Sequence, residues 1–294
     1  IAYASDKVGK NFVFTAAVGA ATDGHDYIPE ALKNGAFLVV CEKREAYETY
    51  REAYPERFFV LVQSTRRALA LLSAAFFGYP AEKLTLIGLT GTKGKTSTSF
   101  MIQNILQAAG IPTGLIGTTG IYYGKHYEYI DNSTPESYEL HRLFADMVKN
   151  GMKMCVMEVS SQALMQERVY GLLFDTAVFT NISPDHIGKG EHKDFEEYLA
   201  CKGKLFRMCA KAVLNADSDR IDTIESILKE ENVPITRYSC QDATVDFYGC
   251  QEKFYLDKGA MKTEYTLKHG DKERRVFVGV PGKFSVYNSL CAIS

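Results

Sequence analysis

The chain has little that would tie it to a structural metal, a membrane or a nucleic acid. Its seven cysteines (Cys41, Cys155, Cys201, Cys209, Cys240, Cys250, Cys291) are scattered and form no C-x-x-C pair, which argues against structural zinc. Several sit in apolar runs and read as small buried hydrophobes, a usage that fits a reducing, cytoplasmic setting. No apolar run approaches membrane-spanning length, and the first residues carry no signal-peptide pattern, so no membrane partner is expected. Lys and Arg number 34 against 36 Asp and Glu, a net charge of −2. No broad basic field therefore argues for nucleic acid. There is no internal repeat and no low-complexity segment. What remains, at 294 residues with 46% hydrophobic and 24% charged residues, is the make-up of a globular protein of roughly two domains.

The most informative stretch is Leu84–Thr96, LTLIGLTGTKGKT. An apolar run (Leu84, Leu86, Ile87, Leu89) leads into a glycine loop that ends Gly94-Lys95-Thr96, and a helical pattern follows (Phe100, Met101, Ile105, Leu106). Strand, glycine loop and helix together are the setting of a phosphate loop. Glycines let backbone N–H groups curl around phosphate oxygens, and the helix start adds its positive dipole end. In that role Lys95 would reach the β- and γ-phosphates and the Thr96 hydroxyl would ligate Mg²⁺. The spacing, Gly91-x-x-Gly94-Lys95-Thr96, is tighter than the common G-x-x-x-x-G-K-[ST] form. An ordinary glycine turn is the plainer alternative.

Residues 1–83 mix short apolar runs (Phe12–Thr15, Phe37–Cys41, Phe58–Val62) with helical stretches, including one with a wide apolar face through Leu69, Leu72 and Phe76. Gly78-Tyr79-Pro80 ends it and marks a linker. Residues 84–240 alternate strands (near 84–90, 113–117, 153–159, 174–180, 211–215 and 235–239) with helices (near 96–109, 136–150, 194–208 and 219–230). Apolar strands alternating with helices indicate an α/β protein whose parallel sheet is covered on both faces. Residues 243–280 change to short alternating runs with turns at Asp257-Lys258-Gly259 and His269-Gly270-Asp271, hence hairpins, before Pro281-Gly282 and a last helix. The expected organisation is a small α/β domain over 1–83 and a central domain over 84–294. The chain opens at Ile1 inside a strand-like run and stops at Ser294 inside a helical one, so a fragment of a longer chain is expected.

Ligands gather at the carboxyl ends of strands in such sheets. Met154–Met157 ends in Glu158-Val159-Ser160-Ser161-Gln162. A carboxylate there suits Mg²⁺ or a water, while Ser160 or Ser161 equally suits a helix cap. Thr176–Phe179 ends in Thr180-Asn181-Ile182-Ser183-Pro184-Asp185-His186, where Asp185 and His186 suit a metal or a phosphate as well as a plain surface turn. In the helix opened by Asp194, the apolar face runs through Phe195, Tyr198, Leu199, Leu205 and Phe206, which leaves Lys202 and Lys204 as solvated charges. Ser133-Thr134-Pro135-Glu136 reads as a cap with proline at the first helical position, or as hydroxyls at a ligand. Gln166 and Arg168 follow the Ser-Ser turn, and Arg168 could take phosphate or carboxylate bidentately or be a surface charge.

These pieces in this order resemble the Mur ligase family, and within it the branch that makes UDP-N-acetylmuramoyl-tripeptide. The resemblance rests on Thr90-Gly91-Thr92-Lys93-Gly94-Lys95-Thr96, Ser133-Thr134-Pro135, Glu158-Val159-Ser160-Ser161, Thr180-Asn181 through Asp185-His186, Tyr198-x-x-x-Lys202, Gly282-x-Phe284-x-x-x-Asn288, and Asp23-Gly24-His25-Asp26-Tyr27-Ile28 near the start. It implies a three-domain monomer, with the UDP-sugar held by the first domain, ATP by the second, and a third domain missing here. It implies ATP-dependent amide formation in peptidoglycan synthesis, joining a diamino acid (lysine or diaminopimelate) to UDP-N-acetylmuramoyl-L-alanyl-D-glutamate through an acyl phosphate. Within that scheme Gly91, Thr92, Lys93, Gly94, Lys95, Thr96 and Ser97 form the ATP loop and Asn288 contacts adenine. Thr96 and Glu158 hold one Mg²⁺, His186 serves a second metal, and Lys202, carbamylated by CO₂, becomes a carboxylate-like ligand. Ser5, Ser133, Thr134, Ser160, Gln166 and Arg168 contact the muramoyl-dipeptide.

Two departures stand out. Gln162 follows the Ser-Ser pair where many members carry His, and Ala4-Ser5-Asp6-Lys7 replaces the family's Asp-Ser-Arg. They keep open a paralogue acting on another carboxylate. A folate polyglutamylating enzyme should lack these Ser-Thr-Pro and Glu-Val-Ser-Ser settings, and a lipid-linked amidating enzyme should carry a cysteine zinc cluster. A nucleotide-binding module without ligation is the reading from a different class. The piece in hand is expected to bind ligands but not to turn over.

Overall fold

The computed structural model describes every residue except 20, 21, 186, 189 and 190. It divides into two compact units. One comprises residues 1–82, 135–146 and 162–172, and the other comprises 83–134, 147–161 and 173–294.

The first unit is built on β1 (Phe12–Thr15), α1 (Ile28–Lys33), β2 (Ala36–Cys41), α2 (Arg44–Ala53), β3 (Phe58–Leu61) and α3 (Thr65–Phe76). The three strands form a parallel sheet in the order β1-β2-β3. Phe14, Ile28, Leu32 and Val39 are buried together, with Tyr47, Tyr50 and Tyr54 packed against them. Burying these side chains supplies the stabilisation that isolated short strands lack. Asp23 caps the 3₁₀ turn ahead of α1 and also bonds the His25 ring, whose other nitrogen accepts from the backbone N–H groups of Glu42 and Lys43. The Asp-Gly-His segment is thereby tied to the end of β2.

The second unit contains β4 (Thr85–Thr90), α4 (Lys95–Ala108), β5 (Thr113–Gly117), β6 (Gly120–Tyr123), β7 (His126–Glu128), β8 (Met154–Glu158), β9 (Thr176–Phe179), α7 (Phe195–Gly203), β10 (Ala212–Asn215), α8 (Ile221–Glu230), β11 (Ile235–Ser239), β12 (Phe247–Asp257), β13 (Ala260–His269), β14 (Lys272–Val278) and α9 (Lys283–Ile293). Two further helices, α5 (Ser137–Lys149) and α6 (Ser161–Met165), run across the division between the units. Among the described residues the strand order is β14-β13-β12-β11-β10-β9-β4-β8-β5-β6-β7. The middle of this sheet is parallel and both edges are antiparallel. Its central strands are apolar because both faces are covered: Leu89, Val156 and Val178 share one buried cluster with Ile102, Val286 and Leu290, and the alternate residues Leu86, Cys155, Met157, Ala177 and Phe179 are buried too.

The hairpin region expected at 243–280 is β12 to β14, with its turns at the two predicted positions. The hairpin β6–β7 at the opposite edge was not expected from the sequence, although Gly120 and Gly124 flank its Ile-Tyr-Tyr run. The helix after Pro135 starts at Ser137, two residues later than a proline-first helix would, and the Thr134 hydroxyl donates to the Glu158 carbonyl at the end of β8.

Candidate active site

In the second unit, register brings the chemistry to one edge. Leu89 pairs with Glu158 and Thr90 with Phe179, so β4, β8 and β9 finish level with one another. The loop 91–94, Glu158 and the segment 180–183 leave the sheet side by side. Thr92 donates its N–H to the Asn181 carbonyl (2.9 Å), and Lys93 N–H donates to Asn181 Oδ1 (2.9 Å). The Lys93 carbonyl accepts from Thr180 Oγ1 and Asn181 Nδ2, both at 2.8 Å. The end of β9 thus clamps the loop from below.

The loop needs its glycines. Gly91 has φ +142°, and a β-carbon there would lie 2.1 Å from Thr180 Oγ1. Gly94 caps α4 with φ +85°, and a β-carbon there would lie 2.5 Å from Asn288 Oδ1. Side chains at either position would fill the concave backbone that a phosphate chain requires.

Two lysines converge on this loop. Lys95 Nζ donates to the carbonyls of Gly91 (2.8 Å) and Thr92 (3.1 Å), and Lys202 Nζ donates to the same Gly91 carbonyl (2.9 Å). Burial lowers the pKa of Lys95, opposed by Glu158 and Asp185. Lys202 is 2% exposed, and its pKa falls well below the ordinary lysine value through desolvation and then the neighbouring Lys95 charge. The solvated reading of Lys202 drawn from the helical pattern is therefore wrong. Residues 201 to 203 of α7 are buried along with its apolar stripe, and the Lys202 head group lies 4.3 Å from the centre of the Tyr198 ring. Tyr198, taken from sequence as core, also places its hydroxyl 3.1 Å from Thr92 Oγ1.

Glu158 is buried at the end of β8. Its Oε1 accepts from Thr118 N–H (3.0 Å) and its Oε2 from Thr118 Oγ1 (3.1 Å). The Thr134 hydroxyl donates to the Glu158 carbonyl (3.0 Å) and accepts from Ser160 N–H (3.0 Å), tying Ser133-Thr134 to the Ser160 turn. Among the described residues no three His, Cys, Asp or Glu side chains converge to hold a metal unaided. A buried carboxylate beside a phosphate-type loop suits Mg²⁺ nonetheless, since that ion keeps waters and shares phosphate oxygens. His186 lies outside the described residues. Beside the loop is a pocket of about 310 Å³ lined by Lys93, Asn181, Asn215, Asp217, Phe284 and Asn288, among others. Asp217 is fixed there by Ser239 Oγ (2.5 Å), Cys240 N–H (2.8 Å) and the Tyr287 hydroxyl (2.8 Å). Lys93 and Ser97 are exposed, and Thr96 is half-buried in the first turn of α4.

The first unit has its own cleft, about 610 Å³, whose walls include Ser5, Asp6, Glu30, Arg66, Gln166 and Arg168. Glu136 bridges two arginines there, accepting from Arg66 Nη1 (2.6 Å) and Arg168 Nε (3.0 Å). Gln166 Oε1 accepts from Arg168 Nη2 (2.8 Å), and Ser5 Oγ donates to Glu30 (2.7 Å). Burial lowers the Arg168 pKa and Glu136 opposes that shift. The cleft is polar and carries both signs of charge, as a binding site for a sugar, phosphate or carboxylate would.

Of the residues singled out from sequence, Lys95, Lys202 and the Gly91 loop meet directly, and Glu158 ends the strand beside them. Ser5, Gln166 and Arg168 line the cleft of the first unit, whereas Ser133, Thr134 and Ser160 belong to the second. The sequence reading missed Thr118, Asp217, Arg66 and the clamping role of Thr180 and Asn181. A polar pair straight after a buried strand was the one visible signal, and it was present for Thr180-Asn181.

The family model for the Mur ligase middle domain matches residues 89–294, more than half of the chain. The chain belongs to the Mur ligase family. A second model, the Mur ligase family catalytic domain, matches residues 1–77. The chain is 38% identical over 293 residues to the UDP-N-acetylmuramoyl-L-alanyl-D-glutamate–2,6-diaminopimelate ligase of Clostridium tetani, covering 100% of this chain and 58% of that protein. It is 36% identical over 295 residues to the ligase of the same name from Clostridium perfringens, again covering 100% and 58%. Among solved structures, a UDP-N-acetylmuramoyl-L-alanyl-D-glutamate–2,6-diaminopimelate ligase superposes with a TM-score of 0.83 at 23% identity, over 99% of this chain and 57% of that one. The MurF ligase of Thermotoga maritima in complex with ADP gives 0.60 at 18% identity, over 99% and 60%. The chain thus spans a little over half the length of the curated relatives it matches. Among the described residues no helix is long and apolar enough to cross a membrane.

Proposed function

We propose that this chain carries the UDP-sugar-binding and nucleotide-binding parts of a cytoplasmic, monomeric ligase that adds 2,6-diaminopimelate to UDP-N-acetylmuramoyl-L-alanyl-D-glutamate. In this reading residues 1–83 are most of the UDP-sugar domain and 84–294 most of the ATP domain. The observation that carries it is the convergence of Lys95 and Lys202 on Gly91 at the edge where Glu158 ends its strand, in a chain 36–38% identical to ligases of that name.

The reaction is two displacements. A carboxylate oxygen of the D-glutamate attacks the γ-phosphorus of ATP and ADP leaves, giving an acyl phosphate. The amine of the incoming amino acid then attacks the acyl carbon, phosphate leaves, and the amine nitrogen gives up a proton. Crowded negative charge is the obstacle in the first step, so preorganised cations and N–H donors supply most of the acceleration. Lys95 would leave the Gly91 and Thr92 carbonyls for the β- and γ-phosphates, and the N–H groups of 92–96 would face the phosphate oxygens. Thr96 and Glu158 would hold Mg²⁺, with Thr118 fixing the Glu158 carboxylate and His186 serving a second ion. Mg²⁺ would neutralise charge on the phosphates. Lys202, buried and with its pKa lowered by that burial, is suited to attack CO₂ through its nitrogen lone pair and release a proton, leaving a carbamate as a further oxygen ligand. Asn288 would contact adenine. Arg168, Gln166, Ser5, Ser133, Thr134 and Ser160 would contact the muramoyl-dipeptide.

Titration calorimetry tests the reading, first with Mg²⁺ and a non-hydrolysable ATP analogue, then with UDP-N-acetylmuramoyl-L-alanyl-D-glutamate. Saturable binding of both, with the UDP-dipeptide weakened by Arg168→Ala, is the expected result. Nucleotide binding without UDP-dipeptide binding would favour a paralogue with another carboxylate substrate. Asp6 in the wall of the cleft is the observation on that side.

A further inference from the structure

Gln166 and Arg168 reach the cleft of the first unit from either side of a residue that faces elsewhere. Both line the cleft and Glu167 is not among its walls. Glu167 has φ +55°, the left-handed region that residues with a β-carbon seldom enter. Backbone bonds close the turn around it, from Gln166 N–H to the Gln162 carbonyl, from Arg168 N–H to the Ala163 carbonyl (both 2.9 Å), and from Tyr170 N–H to the Glu167 carbonyl (3.1 Å).

Both carboxylate oxygens of Glu167 are held by the start of α3. Oε1 accepts from Arg67 Nε and Nη2 at 2.8 Å each, and Oε2 accepts from Ser64 Oγ at 3.2 Å. Ser64 Oγ also caps α3 by accepting from Arg67 N–H, and the Arg67 guanidinium lies 5.0 Å from the centre of the Tyr170 ring. The Arg67 fork closes on one carboxylate oxygen and Ser64 takes the other, so the first turn of α3 restrains the Glu167 side chain from two sides.

We propose that Glu167 is a positioning residue, which with Arg67 and Ser64 holds this turn left-handed and so presents Gln166 and Arg168 together to the ligand. The inference rests on the reading of the cleft as the muramoyl-dipeptide site. Without the fork, other conformers of the turn compete with the left-handed one. The competent fraction falls, and apparent affinity falls in proportion.

Three variants test it. Glu167→Val removes the carboxylate and disfavours positive φ, Glu167→Gly removes the carboxylate but accepts positive φ, and Arg67→Met removes the fork alone. Each is titrated with UDP-N-acetylmuramoyl-L-alanyl-D-glutamate and, separately, with Mg²⁺ and the ATP analogue. Amide hydrogen exchange over residues 166–170 is read in the ligand-free chain. Glu167→Val is expected to weaken the UDP-dipeptide about tenfold, Glu167→Gly and Arg67→Met about threefold, with nucleotide affinity unchanged and exchange faster in the turn. UDP-dipeptide affinity and turn exchange equal to wild type in Glu167→Val would overturn the proposal. So would parallel losses for both ligands with a lowered melting temperature, which mark general destabilisation. If wild type itself fails to bind the UDP-dipeptide, the functional reading fails. The exchange data then decide whether the fork holds the turn, and unchanged exchange overturns the inference on its own.

Discussion

Gly91→Ala is the sharpest single perturbation of the candidate active site. At φ +142° an alanine backbone is strained by roughly 1–3 kcal/mol. Its β-carbon would stand 2.1 Å from Thr180 Oγ1, 2.9 Å from the Asn181 carbonyl oxygen and 3.1 Å from the Asn181 nitrogen. The last two are backbone atoms and cannot rotate away, so the end of β9 must move. That movement breaks the bonds from Thr92 N–H to Asn181 and from Thr180 Oγ1 to Lys93, each worth about 1 kcal/mol. The total expected loss is about 3–5 kcal/mol, a large share of the stability of an ordinary domain. Gly110→Ala is the control, with φ +76° and nothing within 4 Å of the added carbon, at a cost of roughly 1–2 kcal/mol for the backbone alone. Urea unfolding followed by circular dichroism measures both, with the shift read in the midpoint at constant slope. Nucleotide titration of Gly91→Ala should show no saturable binding. A Gly91→Ala chain no less stable than Gly110→Ala, with nucleotide affinity intact, would refute both the packing argument and the loop's role.

Lys202→Met should change how stability depends on pH. Between its lowered pKa and the ordinary value of 10.5 the folded Lys202 binds less proton than the unfolded one, so wild-type stability rises with pH there, by at most about 1.4 kcal/mol per unit from this group. Below the lowered pKa both states are protonated and the dependence stops. Lys202→Met should flatten that rise, leaving only the smaller share from Lys95, and a slope equal to wild type would rule out a neutral buried amine. Adding ¹³C-bicarbonate should give a carbamate carbon signal in wild type that Lys202→Met lacks. Glu158→Gln should weaken Mn²⁺ bound with the ATP analogue by about tenfold, measured by electron paramagnetic resonance, since one anionic ligand is lost; equal affinity would remove Glu158 from the metal site. Tyr287→Phe deletes the hydroxyl that donates to Asp217 and should cost about 1 kcal/mol in urea unfolding while loosening nucleotide binding.

Much of this molecule was legible along the chain because its signals are local. The buried central strands read as apolar runs, the hairpins from β12 to β14 read from Asp257-Lys258-Gly259 and His269-Gly270-Asp271, and the glycine loop reads from its glycines together with the strand before it and the helix after it. Each depends on residues within a few positions of one another. The ordered motifs added the family, because a set of weak local signals in a fixed order is far more specific than any one of them.

What tertiary structure alone decided concerns residues brought together from far apart. Lys202 looked solvated because a helical pattern reports which residues share a face and not what covers that face. Its contact with Gly91 spans 111 positions. Thr118 holds Glu158 across 40 positions, and Asn181 holds the loop across 88. Nothing local to Lys202 or Thr118 names the partner it holds, and the polar pair Thr180-Asn181 after a buried strand marks a strand end without saying what it clamps. Likewise Glu136 and Glu167 sit in stretches that read as part of the central domain, yet they fold with the first unit, where α3 supplies Arg66 and Arg67 as their partners. Local sequence set the strands, turns and loop, because backbone preference and burial pattern act at short range. The register of β4, β8 and β9 set the site, because only a parallel sheet brings the ends of distant strands to one edge.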